Sequence, residues 1–207
     1  ITEYPRTNFI EDAACSLGAG STGSTYTACF SFHPRKIITT GEGAVITTND
    51  NVLAEQLRSL KNFGKDGGNY RFNDVSAAIG IQQIKRLPEL IKIRREHAAI
   101  YDTLLSNIPT LKPPQTAKGH VYQTYAVLLD KKIDRDLVIR KLIAKGIETQ
   151  IGTYALHLLP KFNRLKRWTN LENSTRLASS LLALPMAYDL TFDDQQTVVQ
   201  ELKNAIS

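Results

Sequence analysis

Three side chains near the start of the chain have the types and spacing for carbonyl and phosphate chemistry. Lys36 sits in the stretch FSFHPRKIITTGEGAVITTND, between a Ser-Phe-His-Pro run and a glycine turn that leads into a strand. A lysine in a half-enclosed site can lose its proton through desolvation and nearby positive charge, and its amine can then form a Schiff base with a carbonyl. The same residue could equally be a solvated turn cation. Ser31, five positions upstream, offers a hydroxyl on the same approach that could hold a phosphate. Asp12 closes the short apolar run NFIED. In open α/β sheets ligands collect at the carboxyl ends of strands, where a carboxylate can anchor a cation. Aspartate at such a position can also cap a helix. Taken one at a time, each residue fits the plain structural role at least as well as the chemical one.

The elements that must carry these residues read as α/β material with short connections. Asn8–Ile10 is expected as a short strand and Ala13–Leu17 as one helical turn, followed by a loop marked by Gly18, Gly20 and Gly23. Cys29–Phe32 and Ala44–Thr48 are strand-like, with Gly41 and Gly43 turning the chain between them. Asn49-Asp50 offers a cap to a helix over Val52–Leu60. A polar, glycine-rich loop, KNFGKDGGNYRFND, leads to Asn73 or Asp74 as the cap of the next helix. Pro88 is expected to break or kink that helix, and a second amphipathic stretch runs over Glu89–Ile108. Farther on, His120–Asp130 reads as a strand, Arg135–Lys145 as a helix and Ile147–Ile151 as a strand. Leu171–Leu182 reads as a helix, Leu184–Ala187 as extended, and Phe192–Ala205 as a closing helix. Two domains are expected, 1–109 and 110–207, the second a smaller α+β domain.

The bulk properties are those of a folded protein. The chain has 207 residues, 42% hydrophobic and 22% charged, with a formal net charge of +6. The basic residues are spread along the chain apart from one knot at Lys161, Arg164, Lys166 and Arg167. No basic recognition helix or aromatic-basic strand stands out, so no nucleic-acid partner is expected. Two cysteines, Cys15 and Cys29, are too few for a disulfide framework. No apolar run reaches membrane-spanning length and no leader pattern opens the sequence, so a cytoplasmic location away from the membrane is expected. No metal site is expected.

The combination weighs more than its parts. EDAACSLGA, SFHPRKIITTGEGAVITTND, GGNYRFNDVSAAIGIQQIKRL, GIETQIGTYALHLLPKF and LALPMAYDLTFDDQQ resemble, in order, successive blocks of the DegT/DnrJ/EryC1/StrS family. These are pyridoxal-phosphate-dependent sugar aminotransferases of the aspartate aminotransferase fold. The resemblance implies an α/β chain, namely the C-terminal part of the large cofactor-binding domain, with a mostly parallel sheet, followed by the smaller α+β domain. It implies that Lys36 forms the Schiff base and later shuttles a proton. Asp12 would pair with the protonated pyridine nitrogen, which keeps the cofactor an electron sink. Ser31 would contact the cofactor phosphate. Asn69, in the Asn-Tyr-Arg block, would reach the phosphate of a neighbouring subunit's site, so a homodimer with shared active sites is implied. Tyr154 and His157 would border the sugar-nucleotide side of the pocket, and His157 reads equally as a packed core histidine.

Relatives that use this fold for sugar dehydration replace the lysine, so Lys36 favours transamination. The expected reaction moves an amino group from an amino acid, glutamate, to a nucleotide-linked keto-sugar. Two departures are visible in the blocks themselves. Cys15 stands where the family usually has histidine or glutamine, and Ala44 replaces a glycine after the GEG turn. Family members also carry a segment ahead of the first block, with a Gly-Thr phosphate turn and an aromatic that stacks on the ring. Its absence here raises the alternative of a non-catalytic fragment, or one piece of a split or nicked enzyme. In that case a second polypeptide would carry the missing segment.

Overall fold

The structure, a computed structural model, describes residues 9–62, 68–115, 117–166 and 169–207. Asn8 of the expected first strand and Arg167 of the basic knot lie outside the described residues. The chain forms two compact units. One takes the chain up to Lys92 together with Ala117–Gln123, and the other takes Ile93 onward apart from that insert. The units change over between Lys92 and Ile93, inside a helix that runs on to Leu105, where the expected boundary was 109.

In the first unit, β1 (Ile10–Asp12), β2 (Thr27–Ser31) and β3 (Ala44–Thr47) form a sheet of order β1-β2-β3. β1 and β2 are parallel, with Asp12 opposite Cys29, while β2 and β3 are antiparallel, with Ser31 opposite Ala44. Residues 13–24 run as successive tight turns (Ser16 N to Ala13 O, Ala19 N to Ser16 O, Thr22 N to Ala19 O) and not as a turn of α-helix. Three closely spaced glycines, at positive φ, outweigh the helical preference of Ala13–Leu17.

α1 (Asn51–Lys61) is capped by Asp50, whose carboxylate accepts from the amides of Val52 and Leu53. α2 (Asp74–Leu105) opens on Asn73, which accepts from the Ser76 amide at 2.8 Å. The expected break at Pro88 does not occur, and α2 runs through it for 32 residues. Proline removes one donor and crowds the carbonyl four residues back. Here both Pro88 and Ile84 face solvent, which can satisfy that carbonyl, and the residues around them favour helix.

The second unit holds an antiparallel sheet of order β4-β5-β7-β6, made of β4 (Leu111–Lys112), β5 (Tyr125–Leu129), β6 (Gln150–Ile151) and β7 (Leu181–Leu184). The helices α3 (Arg135–Ile143), α4 (Glu172–Ser180) and α5 (Phe192–Ile206) accompany it. Leu181 and Leu182 belong to a central strand, not to the end of a helix as their sequence suggests. Arg135, buried at the start of α3, donates to Ala178 O and Leu181 O. It thus satisfies a terminal helix carbonyl and lets α4 pass directly into β7 without glycine or proline. Tyr125, Val127 and Leu129 of β5 and Leu182 and Leu184 of β7 are buried with Tyr101, Leu105, Val198 and Leu202. The Tyr101 hydroxyl donates to Pro185 O at 3.1 Å, and burial, reinforced by the Asp194 charge, holds its pKa well above the usual phenol value. No helix of the described residues is long and apolar enough to cross a membrane.

Candidate active site

Because β1 and β2 are parallel, their carboxyl ends share one edge of the sheet. Asp12 is the last residue of β1, and Ser31, two positions past the partner of Asp12, is the last of β2. The Asp12 carboxylate is exposed and accepts from the Ala14 amide at 3.2 Å, a turn contact that leaves the side chain at the strand end. The Ser31 hydroxyl accepts from the His33 amide at 3.3 Å.

The chain then leaves the sheet, makes a turn in which the Lys36 amide donates to His33 O, and returns. Phe32 N to Gly43 O and Thr40 N to Phe32 O close the base of this excursion. Phe32, Ile38 and Leu90 form a buried cluster beneath it. Gly43, at φ 137°, is needed for Phe72: a Cβ there would stand 2.1 Å from the ring. Gly41 has open space around it.

Lys36 is half-buried, and its Nζ donates to Cys15 Sγ at 2.9 Å. Cys15 lies three residues past Asp12, so the contact carries the amine back to the β1 end of the sheet. The position that departs from the family pattern is thus the one that receives the lysine. A second contact with this loop has no counterpart in the sequence reading. The side chain of Gln123 hydrogen-bonds to the backbone on either side of Lys36, at Arg35 O and Ile37 N. Gln123 lies in an irregular segment with no motif, and only the fold could reveal this long-range pairing.

The other expected residues fall elsewhere. Asn69 stands on the segment between α1 and α2, where it forms an isolated bridge with Asn62. Its side-chain oxygen accepts from Arg71 Nε at 3.0 Å. Tyr154 and His157 belong to the second unit. Tyr154 is 71% exposed. His157 is buried, with Nε2 2.8 Å from Thr175 Oγ1, which itself donates to Leu171 O. The imidazole therefore ties the turn at Leu156–Leu158 to α4, which is the packed role its sequence allowed. Among the described residues no group of three His, Cys, Asp or Glu side chains could hold a metal ion.

A carboxylate and a hydroxyl on one carboxyl edge, with an amine drawn back to that edge, form a donor set that fits pyridoxal phosphate. It offers one group each for a protonated ring nitrogen, a phosphate and a carbonyl.

The chain is similar to known proteins over nearly all of its length. Residues 5–203 match the DegT/DnrJ/EryC1/StrS aminotransferase family. GDP-perosamine synthase of Caulobacter vibrioides is 35% identical over 95% of this chain and 58% of its own length. The dTDP-4-dehydro-2,3,6-trideoxy-D-glucose 4-aminotransferase of Saccharopolyspora spinosa is 31% identical over 95% of the chain and 58% of its own length. The structure of DesI, solved in the presence of its TDP-sugar product, superposes with a TM-score of 0.87 at 27% identity, covering 98% of this chain and 56% of that one. The chain thus spans less than two thirds of the length of these relatives. The fold is that of the type I pyridoxal-phosphate enzymes. With a match that runs through nearly all of its residues, the chain belongs to the DegT/DnrJ/EryC1/StrS aminotransferase family.

Proposed function

We propose that the chain carries the lysine-bearing part of an aminotransferase that moves an amino group from glutamate to a nucleotide-linked keto-sugar. The observation that carries this reading is the Lys36 amine drawn to Cys15, beside the strand end that bears Asp12. Relatives named for amino-sugar nucleotides support the substrate class.

Pyridoxal phosphate would be held by Lys36 through Nζ, by Asp12 at the ring nitrogen and by Ser31 at the phosphate. When bound, that cofactor supplies an electron sink for the carbon that loses a proton. Lys36 Nζ would then serve as general base and afterwards as general acid, carrying a proton between the substrate carbon and the cofactor's carbonyl-derived carbon. Its tether at Cys15 keeps the amine close during that interval. The Asp12 carboxylate would favour the protonated state of the ring nitrogen. Asn69 is proposed to serve the neighbouring subunit's site in a homodimer. Tyr154 is proposed to meet the sugar nucleotide, with His157 fixing the turn that bears it.

One observation favours the alternative that this chain works as one piece of a larger enzyme. Ile10 on the edge strand β1 is 74% exposed, and Val45 and Ile46 on the other edge strand β3 are also exposed. Bare apolar edge strands call for a covering chain. A second polypeptide, or further sequence of the same one, would supply that cover along with the rest of the pocket.

The test is a half-reaction in the intact protein loaded with pyridoxal phosphate. Glutamate alone should bleach the yellow band, and a nucleotide-linked keto-sugar should restore it. A band indifferent to every amino acid would contradict transamination. Size-exclusion chromatography with intact-mass measurement separates the two arrangements. A single 23.1 kDa species that supports the half-reaction would exclude the need for a second polypeptide.

A further inference from the structure

We propose that Gln123 is a positioning residue for Lys36, fixing the backbone from which the reacting amine projects. Gln123 Oε1 accepts from the Ile37 amide at 3.0 Å, and its Nε2 donates to Arg35 O at 2.6 Å. The donor at Ile37 and the acceptor at Arg35 together settle which end of the side-chain amide is which. Arg35 O lies in the peptide plane that precedes the Lys36 Cα, and Ile37 N lies in the plane that follows it. Peptide units are rigid planes, so a residue has only φ and ψ to turn about. One side chain bonded to both flanking planes therefore restrains both angles of Lys36, as a neighbouring strand would.

The partners are 86 and 88 positions away in sequence, so the local turn does not produce this arrangement. The segment that presents Gln123 is built for it. Tyr122, buried, adopts φ 49°, a left-handed conformation that non-glycine residues keep only where their surroundings impose it. Its amide donates to His120 Nδ1 at 3.1 Å, and the two rings meet edge to face at 4.3 Å. Gly119, at φ 84°, lies so close to Gly20 that an added Cβ would stand 3.3 Å from its nitrogen. Segment 119–123 is thus pressed against the glycine loop that follows Asp12, and Gln123 reaches the lysine turn from there.

The importance of this clamp for chemistry rests on Lys36 being the cofactor-bonding residue, whereas the clamp itself does not. Two variants of the intact protein test it, Gln123→Ala and Gln123→Glu. Hydrogen exchange at the Ile37 amide should speed up at least about tenfold in Gln123→Ala, since the acceptor is gone. The rate at which added pyridoxal phosphate develops its yellow band should fall about tenfold to a hundredfold in both variants near neutral pH. Glutamate keeps the acceptor for Ile37 but sets a charged oxygen against the Arg35 carbonyl. Protonating it restores a donor, so the ratio of the Gln123→Glu rate to the wild-type rate should climb as pH is lowered. The Gln123→Ala ratio should stay flat. A merely structural role would not give that pH dependence. If Gln123→Ala does not fold, the pH ratio of Gln123→Glu still decides. Unchanged exchange at Ile37, or Gln123→Glu bonding the cofactor at the wild-type rate at neutral pH, would overturn the proposal. If wild type itself formed no band, the reading of Lys36 would fail, and the Ile37 exchange would still decide whether the clamp exists.

Discussion

In the second unit, β5 alternates cleanly. Tyr125, Val127 and Leu129 are buried, and the residues between them are half-exposed. Leu182 and Leu184 of β7 continue that layer, and Val198, Val199 and Leu202 of α5 are buried as well. In the first unit, β3 buries none of its four residues. The opening turns of α2 do the same with Val75, Ile79, Ile81 and Ile84, all large, apolar and exposed. The small sheet of the first unit buries its interior chiefly through β2 and the cluster of Phe32, Ile38 and Leu90. Lys36, Asp12 and Ser31 sit in the unit with the thinner core, two at strand ends and one on a turn held by hydrogen bonds over the small cluster of Phe32, Ile38 and Leu90. The second unit closes its own core, while the first carries the candidate site on a sheet whose edge strands expose apolar residues.

That contrast sets an order of expected effects. Leu182→Ala, on the central strand of the second unit's core, should cost about 3 kcal/mol by urea titration. A cost below about 1 kcal/mol would mean that this core is looser than its burial implies. Thr191→Ala removes the capping box of α5, in which Thr191 Oγ1 accepts from the Asp194 amide and the Asp194 carboxylate accepts from the Thr191 amide. The cost should be about 1 kcal/mol.

The same pair gives a pH signature. The Thr191 hydroxyl, and then its backbone amide, hold the Asp194 carboxyl below its ordinary value of 3.8. A lowered folded-state pKa adds stability above the unfolded value, and that increment is lost as pH falls through the folded one. The loss should therefore appear only below about pH 4, and Thr191→Ala, which removes the hydroxyl but keeps the backbone amide, should reduce it in acid-unfolding curves. Ile46→Ala, on the bare strand of the first unit, should change stability by no more than about 0.5 kcal/mol. A cost like that of Leu182 would show that a partner already covers this face in solution.

Much of this was legible in the sequence. Asp50 and the glycine turns announced the strands and helices around them, and the ordered blocks pointed to Lys36, Asp12 and Ser31 as candidates. Three features were not. Pro88 carries the local signal of a break, but its exposed position in a long helix lets water meet the freed carbonyl. Leu181 and Leu182 continue a helical pattern, but the chain turns into β7 there, where Arg135, more than 40 residues earlier, takes the carbonyls of Ala178 in α4 and Leu181 in β7. Gln123 has no local signature, since its role lies in two backbone groups at the far end of the first unit's sequence. Each of the three is decided by a contact or an exposure that periodicity and spacing do not encode.

The proposed function makes Lys36 the residue that bonds the cofactor. Pyridoxal phosphate should be added to the intact protein, the bond fixed with borohydride, and the digest mapped by mass spectrometry. The added mass should fall on the peptide that contains Lys36 and should be lost in Lys36→Ala. Added mass on a different lysine, or undiminished labelling of Lys36→Ala, would contradict that role.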